Sequence, residues 1–181
     1  MKTFAIGIML TLVVAGASAA GTEAKLAYRA ARDAAAADYK VERALCDDIA
    51  GNPKDVCVAE AKAVRVHAEA EATAQWKNTL AAYTRARVVI ADANYDVDQT
   101  RCAALAGNAR DVCIEQARAT RVAARADARA DRKVIEARSA ARQDKRIAEF
   151  KVATEKCDAL AGSAKDTCVS AAKTRFGLTQ D

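Results

Sequence analysis

Six cysteines are the residues of this chain best placed to do chemistry, and they fall into three pairs of one spacing: Cys46 with Cys57, Cys102 with Cys113, and Cys157 with Cys168. Thiols so arranged could form disulfides, hold a metal or cycle between redox states. Zinc sites bring paired cysteines within two to four residues and draw on further ligands, and the one histidine here is His67. Redox pairs commonly read Cys-x-x-Cys, and that tetrapeptide does not occur. Disulfides within each pair are therefore expected, each closing a short loop and contributing on the order of 3 kcal/mol. Bridges between pairs are the alternative.

The other candidates for chemistry are thin. His67 has Glu71 one helical turn away, which reads as a surface pair. A catalytic histidine needs a nucleophile or acid partner in reach, and none is apparent. Asp47-Asp48 and Glu69 with Glu71 read as solvated helix faces. No phosphate loop, zinc motif, haem attachment motif or nucleophile elbow is present. The expectation is a protein without catalytic residues, cofactor or metal, and not an enzyme.

One electrostatic feature stands out. Arg118, Arg121, Arg125, Arg129 and Arg132 recur at helical spacing, and Arg138 and Arg142 continue the basic run. Between Ala117 and Arg146 there are ten basic and four acidic residues. Such a stripe could receive an anionic envelope polymer or a lipid surface. Nucleic acid fits less well, because no aromatic residues interleave with the arginines to stack on bases. The competing reading is a ladder of ion pairs between helices. If the chain turns back between Cys102 and Cys113, positions summing to about 215 face each other, which sets Asp92, Asp96 and Asp98 near Arg118, Arg121 and Arg125.

The elements that position these residues follow from a repeat. Cys46-Asp-Asp-Ile-Ala-Gly-Asn-Pro-Lys-Asp-Val-Cys57 returns as Cys102-Ala-Ala-Leu-Ala-Gly-Asn-Ala-Arg-Asp-Val-Cys113 and as Cys157-Asp-Ala-Leu-Ala-Gly-Ser-Ala-Lys-Asp-Thr-Cys168, at periods of 56 and 55 residues. Gly51, Gly107 and Gly162 suit the left-handed position past a helix end. Asn52, Asn108 and Ser163 are good N-caps, and Pro53 suits a first helical turn. Each copy thus predicts a tight corner between antiparallel helices, with its cysteines equally far down either arm. Tyr39, Tyr95 and Phe150 stand at one position before the copies, so repeat units span about 39–65, 95–121 and 150–175.

Between the corners the composition is Ala, Lys, Arg, Asp and Glu, mostly strong helix formers. Helices are predicted over 22–50, 54–106, 109–161 and 164–176, with Gly177 ending the last. With no Gly or Pro from Lys54 to Ala106, that segment reads as one helix of about 54 residues, with Asp92–Asp96 as the weak point. Corners one and three would then lie at one end and corner two at the other; a compact bundle of broken helices is the rival arrangement. With one Trp, four Tyr and three Phe in 181 residues, the core should be a thin alanine seam.

Residues 1–20 read as a secretion signal: Lys2, an apolar run from Phe4 to Val14, then Ala17-Ser-Ala19, with cleavage after Ala19 or Ala20. Residues 21–181 would form a single all-α repeat domain with a net charge of +4 once Lys2 is removed from +5. No transmembrane segment is expected in it.

The corner motif, Cys-x-x-Leu-Ala-Gly-Asn-Ala-Lys/Arg-Asp-Val-Cys, resembles that of a group of small exported Ala-rich helical proteins of Gram-negative bacteria. The resemblance covers the corners and their flanks, and it implies a periplasmic helical protein with no catalytic or ligand residues to carry over. The expectation is an all-α fold of long antiparallel helices joined by three disulfide-stapled corners. Its role would be structural or interactive, toward an envelope protein or itself as a homodimer. The alternative is a stress-type binding protein, chaperone-like or sequestering anions or metals through the arginine stripe.

Overall fold

In the computed structural model, residues 17–178 are described. The secretion signal expected over residues 1–20 lies outside them, except for Ala17–Ala20, which open the first helix. Five helices follow in order: α1 (Ala17–Leu45), α2 (Asn52–Lys77), α3 (Leu80–Cys102), α4 (Gly107–Cys157) and α5 (Gly162–Arg175). The fold is all-α, and among the described residues there is no strand. The chain divides into two compact units, one up to Ala126 and one from Asp127.

All three corners carry the expected disulfides, 46–57, 102–113 and 157–168, with Cα separations of 5.7, 5.6 and 5.7 Å. Their construction differs from the expected one. The preceding helix stops at or next to the first cysteine, so α1 ends at Leu45 and does not run to Ala50. A tight turn then satisfies the last carbonyls: the N–H groups of Ile49, Leu105 and Leu160 donate to the carbonyls of Cys46, Cys102 and Cys157. Gly51, Gly107 and Gly162 have the expected positive φ (66°, 54° and 56°), but each stands at the start of the next helix and not just past the end of the last. Gly51 has φ 66° and ψ −155°, a region that essentially only glycine populates. Asn52 and Ser163 are not N-caps; neither α2 nor α5 has a side-chain cap. Asn52 instead donates its side-chain amide to the carbonyl of Thr100 at 2.8 Å.

That bond corrects the expected arrangement of corners, because it sets corner one beside corner two. The cause is a break in the expected long helix. α2 ends at Lys77, Asn78 takes a left-handed conformation (φ 44°, ψ 44°), and Thr79 caps α3 by accepting from the N–H of Ala82 at 3.1 Å. Asn tolerates the left-handed region and Thr is a competent N-cap, so two residues turn the chain without Gly or Pro. Asp92–Asp96, the expected weak point, lies inside α3.

Unit one is a run of antiparallel neighbours. α1 and α2 keep one register along their length, from Cys46–Cys57 through Arg65 over the Tyr39 ring (5.5 Å) to Tyr28 stacked on Trp76 (4.7 Å). α2 and α3 are held by Glu60 with Arg101 at 2.6 Å and His67 with Asn94 at 2.8 Å. The seam between them is Ala63, Ala93 and Val97. Alanine allows close helix approach, and it supplies most of the buried apolar residues; Val97 is the one large aliphatic among them. The side chains of Cys46, Cys102 and Cys157 are the largest that are fully buried, so each disulfide is also the apolar centre of its corner.

Unit two holds the remainder of α4 and α5. Besides the disulfide, Phe150 meets Phe176 edge to face at 6.2 Å. Gly177 (φ 61°) ends α5: its N–H donates to Thr174 and that of Leu178 to Lys173, the paired bonds of a glycine-terminated helix. The sequence expectation for Gly177 therefore holds.

Candidate functional site

The arginine stripe is where the sequence placed its only candidate ligand site, and the division between the units falls inside it, after Ala126. In unit one the ion-pair ladder accounts for much of it. Arg121 Nε lies 2.6 Å from Asp92 Oδ1, and Arg125 lies 3.4 Å from the same oxygen. Arg121 also sits 4.9 Å over the Tyr95 ring. The facing positions sum to between 213 and 217, as the corner geometry requires. Arg118 departs from the expected ladder: it pairs with Glu115 one turn back, while Asp98 is taken by Arg101 at 3.0 Å. Both contacts are between residues three apart on one helix, which are surface neighbours there.

In unit two Arg132 pairs with Glu136 at 2.7 Å. Arg129, Arg138 and Arg142 are exposed and make no ion pair among the described residues. They keep their charges toward solvent, where attraction to an anion is modest singly and grows with their number.

His67 does not pair with Glu71. Its Nε2 meets Asn94 Oδ1 across the α2–α3 seam, because the break at Asn78 folds α3 back alongside α2. Among the described residues no three His, Cys, Asp or Glu side chains form a group able to hold a metal.

The corners carry a second electrostatic pattern. Asp47 accepts from Arg43 at 2.6 Å and lies 3.5 Å from Lys54; in corner three, Asp158 meets Lys165 at 2.8 Å. The hydrogen bond from Arg43, then its charge, holds the Asp47 carboxyl below its ordinary range. The bond to Asp158 likewise raises Lys165. Corner two has Ala103 where the others have aspartate, so Arg110 lacks this partner.

Sequence reasoning missed two grooves. One, of about 750 Å³, runs along α2 and α3, with Val58, Ala63, Val66 and Ala93 in its floor and Lys54 and Lys62 on its rim. It exists because α3 folds back on α2, and the Asn78-Thr79 dipeptide was its only signal. The second, of about 520 Å³, lies between α4 and α5 in unit two.

Compared with protein-family models, curated proteins and solved structures, the chain matches none of them. No helix among the described residues is long and apolar enough to cross a membrane.

Proposed function

We propose that this chain is a periplasmic, non-enzymatic interaction protein that presents helical faces in fixed register to an envelope protein or to a second copy of itself. The observation that carries this reading is where the apolar side chains lie. The seams are alanine, while Val41, Leu45, Ile49, Val64, Val122 and Val152 are exposed. Each of these side chains forgoes roughly 1.5–3 kcal/mol that full burial would contribute. Here stability comes instead from disulfides and close alanine packing, which leaves the larger side chains available to a partner. The disulfides fit an oxidising compartment, as does the signal-like start of the chain. The test is cross-linking in intact cells that express the tagged chain. Discrete cross-linked species are expected; recovery of the free chain alone, under conditions that trap a known envelope complex, would refute it.

A second reading rests on Arg129, Arg138 and Arg142. Their open charges suit an anionic envelope polymer or lipid headgroups, in a stress-type binding role. Flotation with anionic vesicles should then show binding that fades as salt rises, and that is lost when all three are changed to Gln. Equal flotation with neutral vesicles would remove this reading.

A further inference from the structure

The repeat places the same helix face in each copy, and in one copy that face is covered. In the second copy it consists of Asn94, Val97 and Arg101 on α3. There α2 lies over it: Glu60 reaches Arg101, His67 reaches Asn94, and Val97 is left 6% exposed. This is an antiparallel helix pair in which two polar contacts, seven residues apart on each helix, bracket a small apolar centre.

Counted from Cys157, the same positions in the third copy are Glu149, Val152 and Lys156 on α4. All three are exposed, Val152 at 57%. Neither Glu149 nor Lys156 makes an ion pair among the described residues. They line the α4–α5 groove together with Ala153, Ala172 and Phe176.

This face is complementary to itself. Glu149 and Lys156 lie equally far on either side of the midpoint between Val152 and Ala153. A second α4 laid antiparallel across that midpoint sets Glu149 against Lys156 of the partner subunit, Lys156 against Glu149 of the partner subunit, and Val152 against Ala153 of the partner subunit. Along the paired stretch of α4, from Ala148 to Cys157, no like charges fall opposite each other, and Arg175 of α5 lines the same groove. A two-fold interface of this kind needs one patch that matches itself. The first copy cannot form it, because it carries Asp38 and Leu45 in place of the bracketing charges.

We propose that the chain forms a two-fold homodimer through the α4–α5 face centred on Val152 and Ala153, repeating between subunits the helix pairing that α2 and α3 make within one. The proposal rests on the interaction reading above and names its partner as a second copy.

Sedimentation equilibrium on the purified, oxidised full chain tests it, with far-UV circular dichroism to confirm that each variant is folded. The natural chain should reach the dimer mass as concentration rises. Lys156→Glu and Glu149→Lys each convert both ion pairs into like-charge contacts, so each alone should weaken the dimer about ten- to a hundredfold. Mixing the two variants restores both pairs and should restore the dimer. So should the double variant Glu149→Lys with Lys156→Glu. A monomer at every concentration, or a dimer that Lys156→Glu leaves unchanged, overturns the proposal. A monomer in solution that still yields discrete cross-linked species in cells overturns the homodimer and leaves the interaction reading standing.

Discussion

Removing the third disulfide, by Cys157→Ala with Cys168→Ala, tests what holds α5 in place. α5 has 14 residues, a length at which an isolated helix is marginal in water. Its attachment within unit two rests on the bridge, on the Phe150–Phe176 contact, on the exposed Lys165–Asp158 ion pair and on buried Ala172. The bridge closes a loop with a sequence separation of 11, for which loop-closure entropy predicts about 2.8 kcal/mol. An edge-to-face aromatic pair supplies about 1 kcal/mol beyond its burial, so the bridge dominates. Its loss should raise the opening equilibrium of α5 about a hundredfold. Hydrogen exchange read by mass spectrometry reports this directly: amides of residues 162–175 should exchange about a hundredfold faster, while those in α2 and α3 keep their protection. An increase below about threefold would mean that side-chain contacts, and not the bridge, hold α5. The account of these corners as disulfide-dependent would then be wrong.

Two further perturbations probe the break and the corners. Asn78→Val forces a β-branched residue into the left-handed region and should cost about 1–2 kcal/mol in urea unfolding, while Asn78→Gly should be close to neutral; a Val variant as stable as the natural chain would show that the turn does not need this conformation. For Asp47, the folded carboxyl is held below its unfolded value, so its contribution is full above a pH of about 4 and is lost as pH falls through the folded value. The natural chain should therefore be more stable than Asp47→Asn at neutral pH, with the gap closing in acid; a gap that persists at a pH of about 2 would place its origin elsewhere.

What was legible in the sequence was whatever is decided locally. The cysteine pairs could be matched because a corner and two equal arms fix which positions meet, whatever the rest of the chain does. Arg121 and Arg125 were placed near Asp92 by the same arithmetic, since only one corner separates them. The break at Asn78 was hidden for a physical reason. Asn-Thr turns a helix through left-handed tolerance and a hydroxyl cap, and both residues also occur inside helices at small cost. Asp92 and Asn94 mark the weak point of the expected long helix because both are weak helix formers. They sit in mid-helix because Arg121 and His67 satisfy their side chains from neighbouring elements, a tertiary contact that intrinsic preference does not contain. Once the break is misplaced, the corner arrangement, the partner of His67 and the α2–α3 groove all follow it.

Differences among the copies are as informative as their likeness. In each, the aromatic seven residues before the first cysteine meets the residue eight after the second: Tyr39 with Arg65, Tyr95 with Arg121, Phe150 with Phe176. That contact is common to all three hairpins. The aspartate–lysine contact across the corner is present in the first and third copies and missing in the second, where Ala103 faces Arg110. Corner two is the one that Asn52 braces from corner one, through the carbonyl of Thr100. Corner one shares that bond and still carries Asp47, so the difference between the two corners lies in the residue at this position, which leaves Arg110 without an aspartate to meet. If so, Ala103→Asp should add the missing contact with Arg110 and raise stability by about 0.5 kcal/mol, the scale of an exposed ion pair. The gain should vanish when Arg110 is changed to Ala in the same chain. An Ala103→Asp gain that survives Arg110→Ala would show that the three corners do not share the geometry their sequences imply.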